Sequence, residues 1–149
     1  LEKFNLSNQL CYSFYHVNRL FNQFYKEALA PFELTYTQYL VLLILWQEDT
    51  QSLQELGEQL DLASNTLTPL LRRLEDGGWL SRLRPEKDRR QLIVRLTDKG
   101  KFQQPFIEKA LSDYFGQIPQ LTTDVAQKLL EEHQVLITAL KEQKDTSRP

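Results

Sequence analysis

Between Leu6 and Leu29, apolar side chains recur at Leu6, Leu10, Phe14, Val17, Phe21 and Phe24, the three-and-four spacing that lines one face of a helix. Pro31 ends that pattern or follows its end. Thr35 with Gln38 three residues later forms a capping box, and the apolar run behind it predicts a second helix to about Glu48. Ser52 with Glu55 repeats the signature ahead of a short third helix, with Leu53, Leu56 and Leu60 inward and an end near Asp61. A fourth begins at Ser64 and runs to Glu75 or Asp76, where Gly77 and Gly78 readily adopt the backbone angles of a helix terminus. Pro69 falls inside it and deletes one backbone hydrogen bond.

The period then changes. Residues 79–84 and 91–96 read as strands joined by the charged loop 85–90. Thr97 caps a fifth helix to about Gly116, broken or delayed near Pro105, and a sixth follows Thr122 to about Lys144, with a frayed tail from Asp145. The fold class is mainly α with a small β-hairpin wing: a winged helix-turn-helix over residues 35–97 within a single unit spanning 1–149.

Composition narrows the function. A chain of 149 residues with 41% hydrophobic content can bury a core. Its longest apolar run, residues 39–46, falls far short of the roughly 20 residues that cross a bilayer, so no membrane is expected as a partner. The first ten residues lack the order of a secretion signal, and a lone cysteine forms no internal disulfide; both predict a cytoplasmic protein. A net charge of -2 excludes a uniformly basic nucleic-acid coat, yet residues 72–95 hold eight basic against four acidic side chains. Any grip on DNA is therefore local.

The local surface has the right chemistry. Ser64, Asn65, Thr66 and Thr68 open the fourth helix, where short polar side chains reach base edges and free N–H groups meet phosphates. Asparagine pairs with adenine and a threonine methyl packs on thymine. Arg72 and Arg73, one to two turns on, suit phosphates. In the hairpin, Arg89 and Arg90 sit where arginines enter a minor groove, and Asp88 can orient one guanidinium. Taken singly, a capped helix with a solvated face and a charged turn explain the same residues; the combination reads as a surface for double-stranded DNA.

From Leu10 to Gly100 the chain resembles the MarR family of winged-helix regulators. The matches are Asp88-Arg89-Arg90 in the wing, Leu96-Thr97-Asp98-Lys99-Gly100 closing the second strand, and Leu67-Thr68-Pro69-Leu70-Leu71-Arg72-Arg73-Leu74-Glu75 in the recognition helix. The resemblance implies a homodimer on a palindromic operator, dimerised through terminal helices, here 1–30 and 98–144. It also makes Arg90 the wing arginine and Asp88 its orienting partner.

Cys11 is the only cysteine, and five of the six tyrosines lie within twenty-eight residues of it. Tyr15, four residues on, shares its helix face, and a phenol O–H donated to sulfur favours the thiolate. Tyr25 lies fourteen residues beyond, about 21 Å along a straight helix, so any contact with the sulfur comes from a second subunit or a folded-back chain. The set Leu10-Cys11, Tyr15, Tyr25 and Thr35-Tyr36-Thr37-Gln38-Tyr39 resembles the OhrR-type, organic-hydroperoxide-sensing subgroup and related staphylococcal thiol-based regulators. That resemblance implies a redox-sensing Cys11 supported by Tyr15, Tyr25 and Tyr36, the last two reaching across the dimer. With no second cysteine, sulfenic acid at Cys11 proceeds to a mixed disulfide with a small thiol. Ala63 and Asn65 depart from the subgroup's Leu-Asp-Ser-Gly-Thr stretch, so its operator sequence is not carried over.

Two other readings stay open. A small aromatic acid could be the inducer, lined by Phe14, Phe21, Phe24, Trp46 and Arg19, with Cys11 structural. A thiol peroxidase is more remote, because the residues before Cys11 lack the Pro and Thr/Ser setting of peroxiredoxins and His16 stands about 140° around the helix. The expectation is a regulator rather than an enzyme, with no cofactor. His133 has no ligand-spaced companion, and no metal site is inferred.

Overall fold

The structure is a computed structural model that describes residues 2–147. Two compact units divide it between Ser112 and Asp113.

The first unit opens with α1, Glu2–Leu29, followed by a 3-10 turn at Ala30–Phe32 that starts with Pro31 inside it. Next comes α2, Tyr36–Gln47, whose entry is fixed reciprocally: Thr35 Oγ1 accepts from the Gln38 N–H while Gln38 Oε1 accepts from the Thr35 N–H. Ser52 and Glu55 make the same box for α3, Leu53–Leu60, which ends on Asp61 in the left-handed region at φ 55°. Each box satisfies two N–H groups that a helix start leaves without partners.

The next helix, α4, spans Ser64–Asp76 and buries Leu67, Leu71 and Leu74 on one stripe. Its end is a Schellman turn: Gly78 takes φ 77°, its N–H reaches the Glu75 carbonyl, and the Trp79 N–H reaches Leu74. That turn aims the chain into β2, Leu80–Leu83, which pairs antiparallel with β3, Ile93–Leu96. Both strands are shorter than the expected 79–84 and 91–96, because Trp79 belongs to the helix terminus and the Leu92 carbonyl is taken by the Leu53 N–H.

A third strand was not expected. Gln51–Ser52 forms β1, paired with Val94 and Ile93 on the other edge of β3, giving the sheet order β1-β3-β2. Two residues are too few to show a period, and one of them doubles as the cap of α3. The wing is thus stitched to the start of the helix pair as well as to its end.

Thr97 caps α5, Asp98–Phe102, and after Gln103 the chain continues as α6, Gln104–Phe115, the break falling just before Pro105. Leu42 and Leu45 of α2, Leu56 of α3, the α4 stripe, Val94 of β3 and Ile107 of α6 form the core, all below 1% exposed. Each buried leucine of this kind is worth about 2 kcal/mol in removed apolar surface.

The second unit contains α7, Thr123–Thr146, capped by Thr122 accepting from the Val125 N–H. It buries none of its described side chains and exposes Leu130, Val135 and Leu140. Fraying from Asp145 is not observed, since the helix runs on to Thr146; Arg148 and Pro149 lie outside the described residues. No single described helix is long and apolar enough to cross a membrane.

Candidate nucleic-acid interface and thiol site

Ser64, Asn65 and Thr66 are exposed on the first turn of α4, whose N-cap, Ala63, offers no side-chain hydrogen bond. The early N–H groups of the helix are therefore not covered by a capping side chain. Thr68 is half-buried and its hydroxyl donates to the Ser64 carbonyl at 2.7 Å, which commits the proton inward. Arg72 and Arg73 are exposed farther along the same helix. An open groove of about 650 Å³ runs between α3, the start of α4 and the wing, and both Ser64 and Arg90 line it. The two parts singled out separately in the sequence thus flank one concave surface.

The wing tip is self-braced. Asp88 Oδ1 accepts from the Arg90 backbone N–H at 3.1 Å and stands 3.8 Å from Arg90 Nε, too far for a hydrogen bond. Asp88 therefore braces the backbone at Arg90 and stands as an ion pair beside its guanidinium. The Arg90 side chain is 98% exposed. From the other side, Arg84 Nη1 donates to the Arg89 carbonyl at 3.0 Å.

At the wing's base, Glu75 of α4 grips Arg82 of β2 with both carboxylate oxygens: Oε2 accepts from the Arg82 backbone N–H at 2.9 Å and Oε1 from Nη2 at 3.1 Å. The Arg82 side-chain hydrogen bond holds the Glu75 carboxyl below its ordinary range, against the opposing effect of desolvation. Asp49, in the turn after α2, holds the other end of the wing, its Oδ1 accepting from the Leu96 N–H at 2.8 Å and its Oδ2 lying 3.6 Å from Lys101 Nζ. Trp46 Nε1 donates to the Gly100 carbonyl at 2.9 Å.

The sequence alone did not single out Glu75 with Arg82, Asp49 with Leu96, or Arg84 with Arg89 as braces of the wing. The one available signal was the opposite charges of Glu75 and Arg82 on either side of the Gly77-Gly78 turn.

Cys11 is a free, exposed thiol on α1. Tyr15 is 62% exposed one turn on. Tyr25 and Tyr36 lie together in the same chain, ring centroids 4.4 Å apart, with Tyr39 at 5.9 Å from Tyr25. Burial, then the neighbouring Tyr36 and Tyr39, push the Tyr25 phenol up to about 12. Burial raises Tyr36 likewise, and burial with Tyr36 and Glu108 raises Tyr39. The four residues split into two pairs, Cys11 with Tyr15 and Tyr25 with Tyr36, separated by about 21 Å along one continuous helix. Tyr39, counted among the tyrosines but given no role, completes the second cluster.

Trp46 is engaged with Gly100 and Tyr39, and Arg19 lines a shallow hollow formed by α1 alone. Among the described residues no group of three or more His, Cys, Asp or Glu is placed to hold a metal ion.

A helix pair whose second helix turns directly into a three-stranded, arginine-tipped wing defines a winged helix-turn-helix protein of the MarR-like kind. Residues 23–104, more than half the chain, match the family described as transcriptional regulator SarA/Rot, and the chain belongs to that family of transcriptional regulators. It is 39% identical over 136 residues to the organic hydroperoxide resistance transcriptional regulator of Bacillus subtilis, covering 91% of this chain and 90% of that one. Among solved structures it is similar to AbfR of Staphylococcus epidermidis in two DNA-bound forms. For reduced AbfR bound to DNA the TM-score is 0.85 at 46% identity, covering 94% of this chain and 98% of that one. For overoxidized AbfR bound to DNA it is 0.81 at 47%, covering 93% and 97%.

Proposed function

We propose that this chain is a homodimeric cytoplasmic repressor that grips a palindromic operator while Cys11 is reduced and releases it when Cys11 is oxidised and capped by a small thiol. The observation that carries the DNA-binding half is the single groove flanked by Ser64 and Arg90. A recognition helix entering a major groove with Ser64, Asn65, Thr66 and Thr68 at base edges brings Arg72 and Arg73 to phosphates, and Arg89 and Arg90 to the adjacent minor groove. The similarity to AbfR, which has been solved bound to DNA in its reduced and its overoxidized form, supports this assignment. Dimerisation is supported by exposed apolar side chains on α1 (Leu10, Val17, Leu20) and on α7 (Leu130, Val135, Leu140), surface that a second copy would bury. Two-fold symmetry then sets the recognition helices about 34–36 Å apart, one turn of DNA.

The chemistry at Cys11 needs no cofactor. The sulfur attacks the terminal oxygen of an organic hydroperoxide, the O–O bond breaks, an alcohol leaves and the cysteine becomes sulfenic acid; a small thiol then displaces water to form the mixed disulfide. Cys11 stays blocked as the mixed disulfide until a second thiol exchanges it away, which makes the adduct a reversible signal. Tyr15 supports the thiol from its own helix, and Tyr25 with Tyr36 from the partner across the dimer axis. The hydroperoxide function in the name of the Bacillus subtilis relative supports an organic hydroperoxide as oxidant.

The decisive experiment measures operator binding by the reduced protein before and after stoichiometric organic hydroperoxide plus a small thiol, with intact mass recorded on the same samples. Release of DNA with one adduct on Cys11 is the expected result. An adduct without release makes Cys11 a bystander and favours a small-ligand inducer.

A further inference from the structure

The wing and the recognition helix must engage one half-site together, and the chain passes between them through the turn at Gly77 and Gly78, whose carbonyls accept from Lys99 and Thr97. The Glu75–Arg82 pair spans that turn. Its carboxylate holds a backbone N–H and a guanidinium of the same residue at 2.9 and 3.1 Å, so both the position and the tilt of β2 are set relative to α4. Two residues on, side-chain alternation returns Arg84 to the same face of the strand, where it reaches the Arg89 carbonyl at the tip. The wing is thus braced at two separate points, at its base by Glu75 on Arg82 and near its tip by Arg84 on the residue before Arg90.

Stability alone does not account for the pair. Arg82 Nε is buried with no hydrogen-bond partner among the described residues, and the Glu75 side chain is about one-third exposed, so desolvation offsets much of the attraction. What the arrangement secures is geometry.

Resting on the DNA-binding reading above, we infer that Glu75 is a positioning residue for operator recognition: through Arg82 it fixes the angle at which the wing presents Arg90 while α4 lies in the major groove. It touches no DNA itself. Glu75→Gln keeps the size of the side chain and an acceptor for the backbone N–H but loses the charge that holds the guanidinium.

The test is a double-mutant cycle on a duplex selected from random sequence by the unsubstituted protein, combining Glu75→Gln with Arg90→Ala. Glu75→Gln alone is expected to weaken binding about tenfold and to flatten the salt dependence much as Arg90→Ala does. In the Arg90→Ala background, Glu75→Gln is expected to cost less than twofold, because the wing no longer has a contact to aim. A merely structural role would move the thermal midpoint without DNA, leave the salt slope alone and give multiplicative losses; that pattern, or wild-type affinity for Glu75→Gln, overturns the inference. If Glu75→Gln lacks native circular dichroism, Arg82→Lys, which keeps the charge and drops the fork, carries the same cycle with the same expectations. Should the unsubstituted protein select no duplex, the DNA-binding reading falls first and takes this inference with it.

Discussion

Tyr25 and Tyr36 pack with ring centroids 4.4 Å apart inside one chain, tying the last turns of α1 to the first residue of α2. Burial keeps the Tyr25 phenol neutral, so its folded value, about 12, lies above the ordinary 10. Between those values the unfolded chain has already lost the proton that the folded chain retains. The stability due to Tyr25 is therefore intact below about pH 10 and is lost as pH rises through about 12. Tyr25→Phe should flatten the fall in urea midpoint across that window; an unchanged slope would place the burial elsewhere.

Cys11→Ser is expected to bind the operator within about twofold of the native protein, since the side chain is exposed in the chain and carries none of the fold. It should no longer release DNA when hydroperoxide and thiol are added. Fluorescence anisotropy on a labelled operator reads both properties.

The oxidation state of sulfur and its bulk can be separated. AbfR is bound to DNA in its overoxidized form, which adds oxygen atoms to a sulfur but no second molecule. If added bulk is what releases DNA, this protein driven to a sulfonic acid with excess hydroperoxide and no thiol should keep most of its operator affinity, whereas the mixed disulfide should lose it. Gel shifts paired with intact mass distinguish the two species, and equal release by both would assign the switch to loss of the reduced thiol instead of added bulk.

Arg90→Ala is expected to leave the thermal midpoint unchanged, because its side chain is 98% exposed. Operator affinity should fall about tenfold and the slope of log K against log salt should drop by about one, the signature of a lost cationic contact with DNA. An unchanged slope would remove the wing from the interface.

Gly100 is buried beneath the wing, and a Cβ there would run into the Trp79 carbonyl and press on Leu96. Because the obstacle is backbone, it cannot swing aside. Gly100→Ala should cost about 3 kcal/mol by urea denaturation, and it should also disturb the Trp46 bond to the Gly100 carbonyl, visible as a change in tryptophan emission.

The helices were legible because their signals are local: both capping boxes are four-residue patterns, and the α4 stripe at Leu67, Leu71 and Leu74 repeats with the helical period. The break before Pro105 and the turn at Gly77 and Gly78 follow from the backbone limits of single residues. What stayed hidden joins residues distant in sequence. Strand β1 exists because β3 has a free edge forty residues away, and Asp49 finds Leu96 through the fold. Asp88 pairs with the Arg90 guanidinium and also accepts from the Arg90 backbone N–H, a second bond that only the turn's conformation reveals. For the thiol, the spacing put Tyr25 fourteen residues beyond Cys11, but nothing in it indicated that Tyr25, Tyr36 and Tyr39 would gather in one chain.

Of the described α1 side chains, only Ala28 and Leu29 are buried, and Leu10, Val17 and Leu20 are exposed. A bare helix in water is marginal, and its order then depends on whatever covers its exposed apolar side chains. If that cover is a second copy, mass action governs the helix that carries Cys11, and dilution should fray it and lower the melting temperature. A redox sensor built this way also measures its own abundance: scarce protein would have a loosened thiol and a misplaced pair of reading heads before any peroxide arrives.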